Sequence, residues 1–155
     1  MSVRHSVLLV DENAQARRHM VAILRGVFAQ VYEAEDYESA LCLFSKHRPD
    51  MVITAIKEYP AVLEFIGRIC GQEPAAVIVA LIEARVPAAK LIGSVNAGVT
   101  GFLRKPATLN DLRALSARLL SGAELRRHVL FPAGSVSNGA VDLVIRTEGH
   151  AVNEM

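Results

Sequence analysis

A doubly wound α/β architecture, a parallel sheet built from five strand–helix units, is predicted by three features of the 155-residue sequence. Short, almost unbroken apolar runs alternate with stretches whose apolar residues recur at helical spacing. The runs lack the in–out alternation of a half-exposed sheet, so they suit strands covered on both faces. Gly, Pro, Asp and Asn stand between the segments, where the chain must reverse. Apolar residues make up 52% of the chain, enough for a two-sided core without disulfides or metal.

Ser6-Val-Leu-Leu-Val10 reads as the first strand, ended by Asp11-Glu12-Asn13. Met20, Val21, Ile23, Leu24 and Val27 then share a helical face, Arg17, Arg18 and Arg25 lie mostly elsewhere, and Gly26 weakens the end. Gln30-Val-Tyr-Glu-Ala34 is a short second strand. Asp36 is a suitable N-cap for a helix with its apolar stripe at Ala40, Leu41, Leu43 and Phe44, and Pro49 closes it. Asp50 to Ile56 is the next apolar run, read as a central strand. Val62, Phe65, Ile66 and Ile69 follow at helical spacing until Gly71 and Pro74 stop the helix. Ala76 to Leu81 forms the fourth strand. Val86 to Ala97 is helical, with Leu91, Ile92 and Val95 inward and Gly98 as C-cap. Gly101 to Arg104 is a short fifth strand ended by Lys105-Pro106. Thr108 and Asp111 form a capping box for a helix carried by Leu109, Leu112, Leu115, Leu119 and Leu120.

The chain thus divides into a domain over residues 1–121 and a short irregular extension over 122–155. In the extension, Val129-Leu-Phe131 and Val141 to Ile145 interrupt a loop-rich composition. A β-ribbon, a segment packed back on the domain and a docking peptide all remain open for it.

Several function classes are disfavoured. A net charge of +1 lacks the basic excess of a nucleic-acid binder, and the tail is too short and broken for a helix-turn-helix. Apolar runs such as Val77 to Ile82 are too short to span a bilayer, and the N-terminus enters a strand at once, leaving no room for a signal peptide. Cys42 and Cys70 form no CxxC pair and fit buried free thiols in a reducing cytoplasm, so a cytoplasmic location is expected. His5, His19, His47, His128 and His150 have no metal-ligand spacing, no phosphate-binding glycine loop occurs, and Ser94, Ser116 and Ser121 lack a nucleophile-elbow context. Neither a metal nor a cofactor is expected.

In doubly wound sheets, ligands gather at the carboxyl ends of the strands. That rule directs attention to Asp11-Glu12, Ala55, Leu81 and Lys105. Three stretches carry a more specific signal: Val7-Leu-Leu-Val-Asp-Glu12, Arg48-Pro-Asp-Met-Val-Ile53 and Asn96-Ala-Gly-Val-Thr-Gly-Phe-Leu-Arg-Lys-Pro106. In this order and spacing, the chain from Ser6 to Leu120 resembles the receiver domain of bacterial two-component response regulators, a flavodoxin-like fold.

The resemblance implies that the third strand ends on the residue that accepts a phosphoryl group from a histidine kinase. Counting on from Pro49-Asp50, that position is Ala55, whose methyl group can neither attack phosphohistidine nor ligate Mg²⁺. The hydroxyl that contacts the phosphate in the family falls on Leu81, and the family's Met-Pro is replaced around Lys57-Glu58-Tyr59-Pro60. The phosphorylation site is therefore read as degenerate at Ala55 and Leu81. Asp11, Glu12 and Lys105 remain as a remnant acidic pocket, in which Lys105 is expected to pair with the two carboxylates and hold the pocket shut; weak residual Mg²⁺ binding is the lesser reading. Phe102 matches the family's aromatic switch and Pro106 its cis-proline. With Leu81 unable to report on a phosphate, Phe102 is expected to pack between the fourth helix and fifth strand, and the face from the fourth to the fifth helix to serve as the interaction surface.

The function this implies is that of a non-enzymatic, phosphorylation-independent adaptor. Its expected partner is a histidine kinase, a phosphotransferase or a transcription regulator, or a second copy of the chain through the same face. Two alternatives stand beside it. One is a sensor in which Arg113, Arg118, Arg126 and Arg127 bind an anion such as a cyclic dinucleotide. The other is a conventional phosphoacceptor using another residue, for which Asp11 is the placed candidate.

Overall fold

Every side chain of the third strand is buried, and the sheet is arranged around that fact. A computed structural model describes residues 5–56, 59–83 and 85–121; the expectations for Lys57-Glu58, for the extension 122–155 and for Arg126 and Arg127 lie outside the described residues. Five strands, β1 (Ser6–Val10), β2 (Gln30–Ala34), β3 (Met51–Ala55), β4 (Val77–Ile82) and β5 (Gly101–Arg104), alternate with five helices. These are α1 (Ala14–Leu24), α2 (Tyr37–His47), α3 (Tyr59–Gln72), α4 (Ala88–Ala97) and α5 (Leu109–Ser121). All neighbouring strands are parallel in the order β2-β1-β3-β4-β5, the flavodoxin-like arrangement the sequence predicts.

The apolar runs are unbroken because successive side chains feed two different cores. Leu8, Val10, Val52, Ile78, Ala80, Ile82 and Phe102 enter the layer completed by Phe44, Phe65, Ile66 and Leu91 from α2, α3 and α4. Val7, Leu9, Met51, Ile53, Val79, Leu81 and Leu103 enter the opposite layer, completed by Leu24, Leu112, Leu115 and Leu119 from α1 and α5.

Local chemistry sets the helix ends. The Asn13 side chain accepts from the Ala16 N–H at 2.8 Å, and Asp36 accepts from the Ser39 N–H at 2.7 Å. At α5 the capping box is reciprocal: Asp111 N–H donates to the Thr108 hydroxyl at 3.1 Å, and Thr108 N–H donates to the Asp111 carboxylate at 3.2 Å. Gly98 caps α4 with φ at 131°, its N–H donating to the Ser94 and Val95 carbonyls, and a Cβ there would collide with the Cys70 sulfur.

Several boundaries differ from those read in the sequence. The third strand is shorter than the run from Asp50 to Ile56, and the fourth is displaced one residue onward to end at Ile82. Helix α4 starts at Ala88, two residues later than Val86, because Pro87 occupies the N-cap. Helix α3 passes through Gly71, which faces open space, and ends at Gln72 ahead of Pro74. Helix α2 stops at His47 because Arg48 is left-handed (φ 48°), with Pro49 following it. Leu109, at the first position of α5, is 36% exposed rather than part of the buried stripe. Cys42 is also exposed, since it sits one residue past Leu41 and so turns off the buried face of α2. Cys70 is half-buried, and burial pushes its thiol pKa up.

Thr100, just before β5, extends the pairing with β4 through its side chain. Its hydroxyl accepts from the Ile78 N–H and donates to the Ile78 carbonyl, both at 2.9 Å, while its own N–H donates to that carbonyl at 2.8 Å. Thr100→Val leaves the Ile78 N–H without this acceptor in a buried place. The expected loss is about 1–3 kcal/mol, read as a lower urea midpoint, with Thr100→Ser retaining most of the stability. Gly98→Ala is expected to destabilise as well. Adding Cys70→Ala should recover only the part due to the sulfur collision, because the positive φ still disfavours a side chain.

Candidate functional site

The strand register determines which residues meet at the carboxyl edge of the sheet. Val10 is paired with Ala34 on one side and Thr54 on the other. The residues that follow, Asp11, Glu35 and Ala55, therefore stand level, and the Asp11 N–H continues the ladder by donating to the Ala34 carbonyl at 3.1 Å. Ala55 is paired with Leu81, and Leu81 with Leu103. Across the sheet this row reads Glu35, Asp11, Ala55, Leu81, Leu103: two acids followed by three apolar residues.

A cleft of ≈ 90 Å³ opens at the acidic end of the row, between the turns that follow β1 and β2 and the end of β3. Four acidic residues, Asp11, Glu12, Glu35 and Asp36, line it, joined by Tyr37, Thr54 and Ala55. Asp11 is buried at 4% exposure, and its Oδ1 accepts the Asn13 N–H at 3.0 Å in an Asx turn. Arg17 braces the same turn. Its Nη1 donates to the Asp11 carbonyl at 2.7 Å and its Nε to Glu33 Oε1 at 3.1 Å, tying the loop after β1 to the edge strand β2. The Asp36 carboxyl is held below its ordinary pKa, chiefly by the Ser39 backbone N–H and further by the Ser39 side chain. Its place at the start of α2 also suits a negative charge.

The expected site residues do not all come together. Asp11, Glu12 and Ala55 share the cleft, whereas Leu81 and Lys105 are not among its lining residues. Leu81 (2% exposed) and Ala55 (6% exposed) belong to the apolar layer under α1 and α5. The expectation that Lys105 pairs with the acidic couple is corrected: its Nζ lies 3.5 Å from Glu83 Oε2, and among the described residues no ion pair joins it to Asp11 or Glu12. The register explains the choice. Ile82 pairs with Arg104, so Glu83 and Lys105 follow on adjacent strands, and the Lys105 N–H donates to the Ile82 carbonyl at 2.9 Å. Strand β1 is three strands away, about 14 Å across the sheet at the usual spacing.

Phe102 is fully buried opposite Ala80, and the Lys105–Pro106 peptide is cis. Arg113 and Arg118 are both exposed on α5 but stand about 140° apart around its axis, so they do not converge on one anion. A divalent cation does not fit the row well, because the Ala55 side chain supplies no carboxylate or other oxygen to it. Among the described residues, no group of three or more His, Cys, Asp or Glu side chains is arranged to hold a metal ion. Glu35, Tyr37, Glu83 and the brace Arg17 went unmarked in the sequence. The first two join the cleft because the strand order brings the residues after β2 beside those after β1.

A family model for the response regulator receiver domain matches residues 7–117. The chain belongs to this family. The chain is 30% identical over 146 residues to the KDP operon transcriptional regulatory protein KdpE of Escherichia coli (strain K12), a match covering 91% of this chain and 62% of KdpE. The chain thus spans less than two thirds of that relative. Among solved structures, the receiver is similar to a two-component response regulator of the LuxR family from Aurantimonas sp. SI85-9A1, with TM-score 0.71, 22% identity and coverage of 92% of this chain and 96% of that one. It is also similar to a response regulator from Thermotoga maritima, with TM-score 0.69, 25% identity and coverage of 77% of this chain and 100% of that one. The receiver domain is accordingly a component of two-component signalling. Among the described residues, no helix is long and apolar enough to cross a membrane.

The Asp36 cap gives a pH test of the cleft rim. A carboxyl whose pKa is lowered by folding contributes stability above its unfolded pKa, and that contribution is lost as pH falls through the lower folded value. Asn caps equally well without titrating. The stability difference between the wild type and Asp36→Asn is expected to stay constant near neutral pH and to change only below about pH 4, read from urea midpoints across pH.

Proposed function

We propose that this receiver acts without phosphorylation, as a signalling adaptor that binds its partner through the face formed by α4, β5 and α5. The observation that carries the reading is the apolar half of the carboxyl-edge row, where Ala55, Leu81 and Leu103 stand side by side. Phosphoryl transfer to a receiver needs a nucleophilic oxygen, and stabilisation of the bound phosphoryl needs hydrogen-bond donors close to it. A methyl group and an isobutyl group supply neither. Lys105, the remaining cation of the family pattern, is engaged by Glu83 instead. Phe102 is enclosed at 0% exposure in the core layer shared with α2, α3 and α4.

The proposed partner is a protein of the same signalling system: a histidine kinase, a phosphotransferase or a transcription regulator.

Incubation with acetyl phosphate and Mg²⁺, followed by intact mass measurement, is expected to show no phosphoryl adduct. A stoichiometric, hydroxylamine-labile adduct would overturn the reading, and peptide mapping would then show whether Asp11 carries it. In an amide-resolved NMR titration with Mg²⁺ and then beryllofluoride, resonances of Asp11, Ala55 and Lys105 are expected to stay in place. Saturable shifts reaching Phe102 would mean that the receiver still switches.

A further inference from the structure

We draw no further inference here: the strongest candidate, the acidic cleft lined by Asp11, Glu12, Glu35 and Asp36 at the carboxyl ends of β1 and β2, belongs to the site already described, and nothing in the structure beyond the carboxylates themselves says what fills it.

Discussion

A parallel sheet covered by helices on both faces has little room for polar groups except at the ends of its strands. Here the covering is complete along β3 and β4, every residue of which is buried. That double burial imposes the unbroken apolar runs and holds the five strands in one register. It also confines whatever chemistry the molecule offers to a single line of side chains at the carboxyl edge. At the β1 and β2 end of that line a change of residue alters the cleft that is presented, and at Ala55, Leu81 and Leu103 it alters the core as well.

The two ends of the line are built differently. Toward β2, negative charges are gathered and then partly answered by local structure: an Asx turn for Asp11, a helix start for Asp36, and the Arg17 brace between Glu33 and the Asp11 carbonyl. Toward β5 the line is apolar and continuous with the core under α1 and α5, so it packs where a reactive site would be open. Beyond it, Glu83 and Lys105 join adjacent loop starts at the surface. An ion pair of this exposed kind contributes little to stability, so its effect is to engage the lysine rather than to hold the fold together.

Much of this was legible in the sequence because the signals were local or periodic. The second and fifth strands lie where their apolar runs place them, and the caps at Asp36, Gly98 and Thr108 follow from residue chemistry alone. Boundaries slipped where two signals competed. A helix tolerated Gly71 on its open side, and Pro87 delayed α4. The site was less legible because it depends on which side chains from separate strand ends meet, and no local or periodic signal carries that. Ala55 and Leu81 could be placed by counting along the chain, but the partner of Lys105 could not. That pairing follows from the step between β4 and β5 in space, where Glu83 is adjacent and Asp11 is three strands off. Glu35 and Tyr37 join the cleft for the same reason.

The side-by-side placement of Ala55 and Leu81 has a consequence for the substitutions this edge can accept. An acid introduced at position 55 would set a carboxylate level with Asp11 and against a leucine, while Lys105 is held by Glu83. Like charges close together in a poorly solvated place are unfavourable, so that substitution alone is expected to destabilise the fold. A hydroxyl introduced at position 81, alone, would be a buried polar group in an apolar layer. The two positions are therefore coupled: each constrains what its neighbour can become, and the row accepts an apolar exchange more readily than a single polar one.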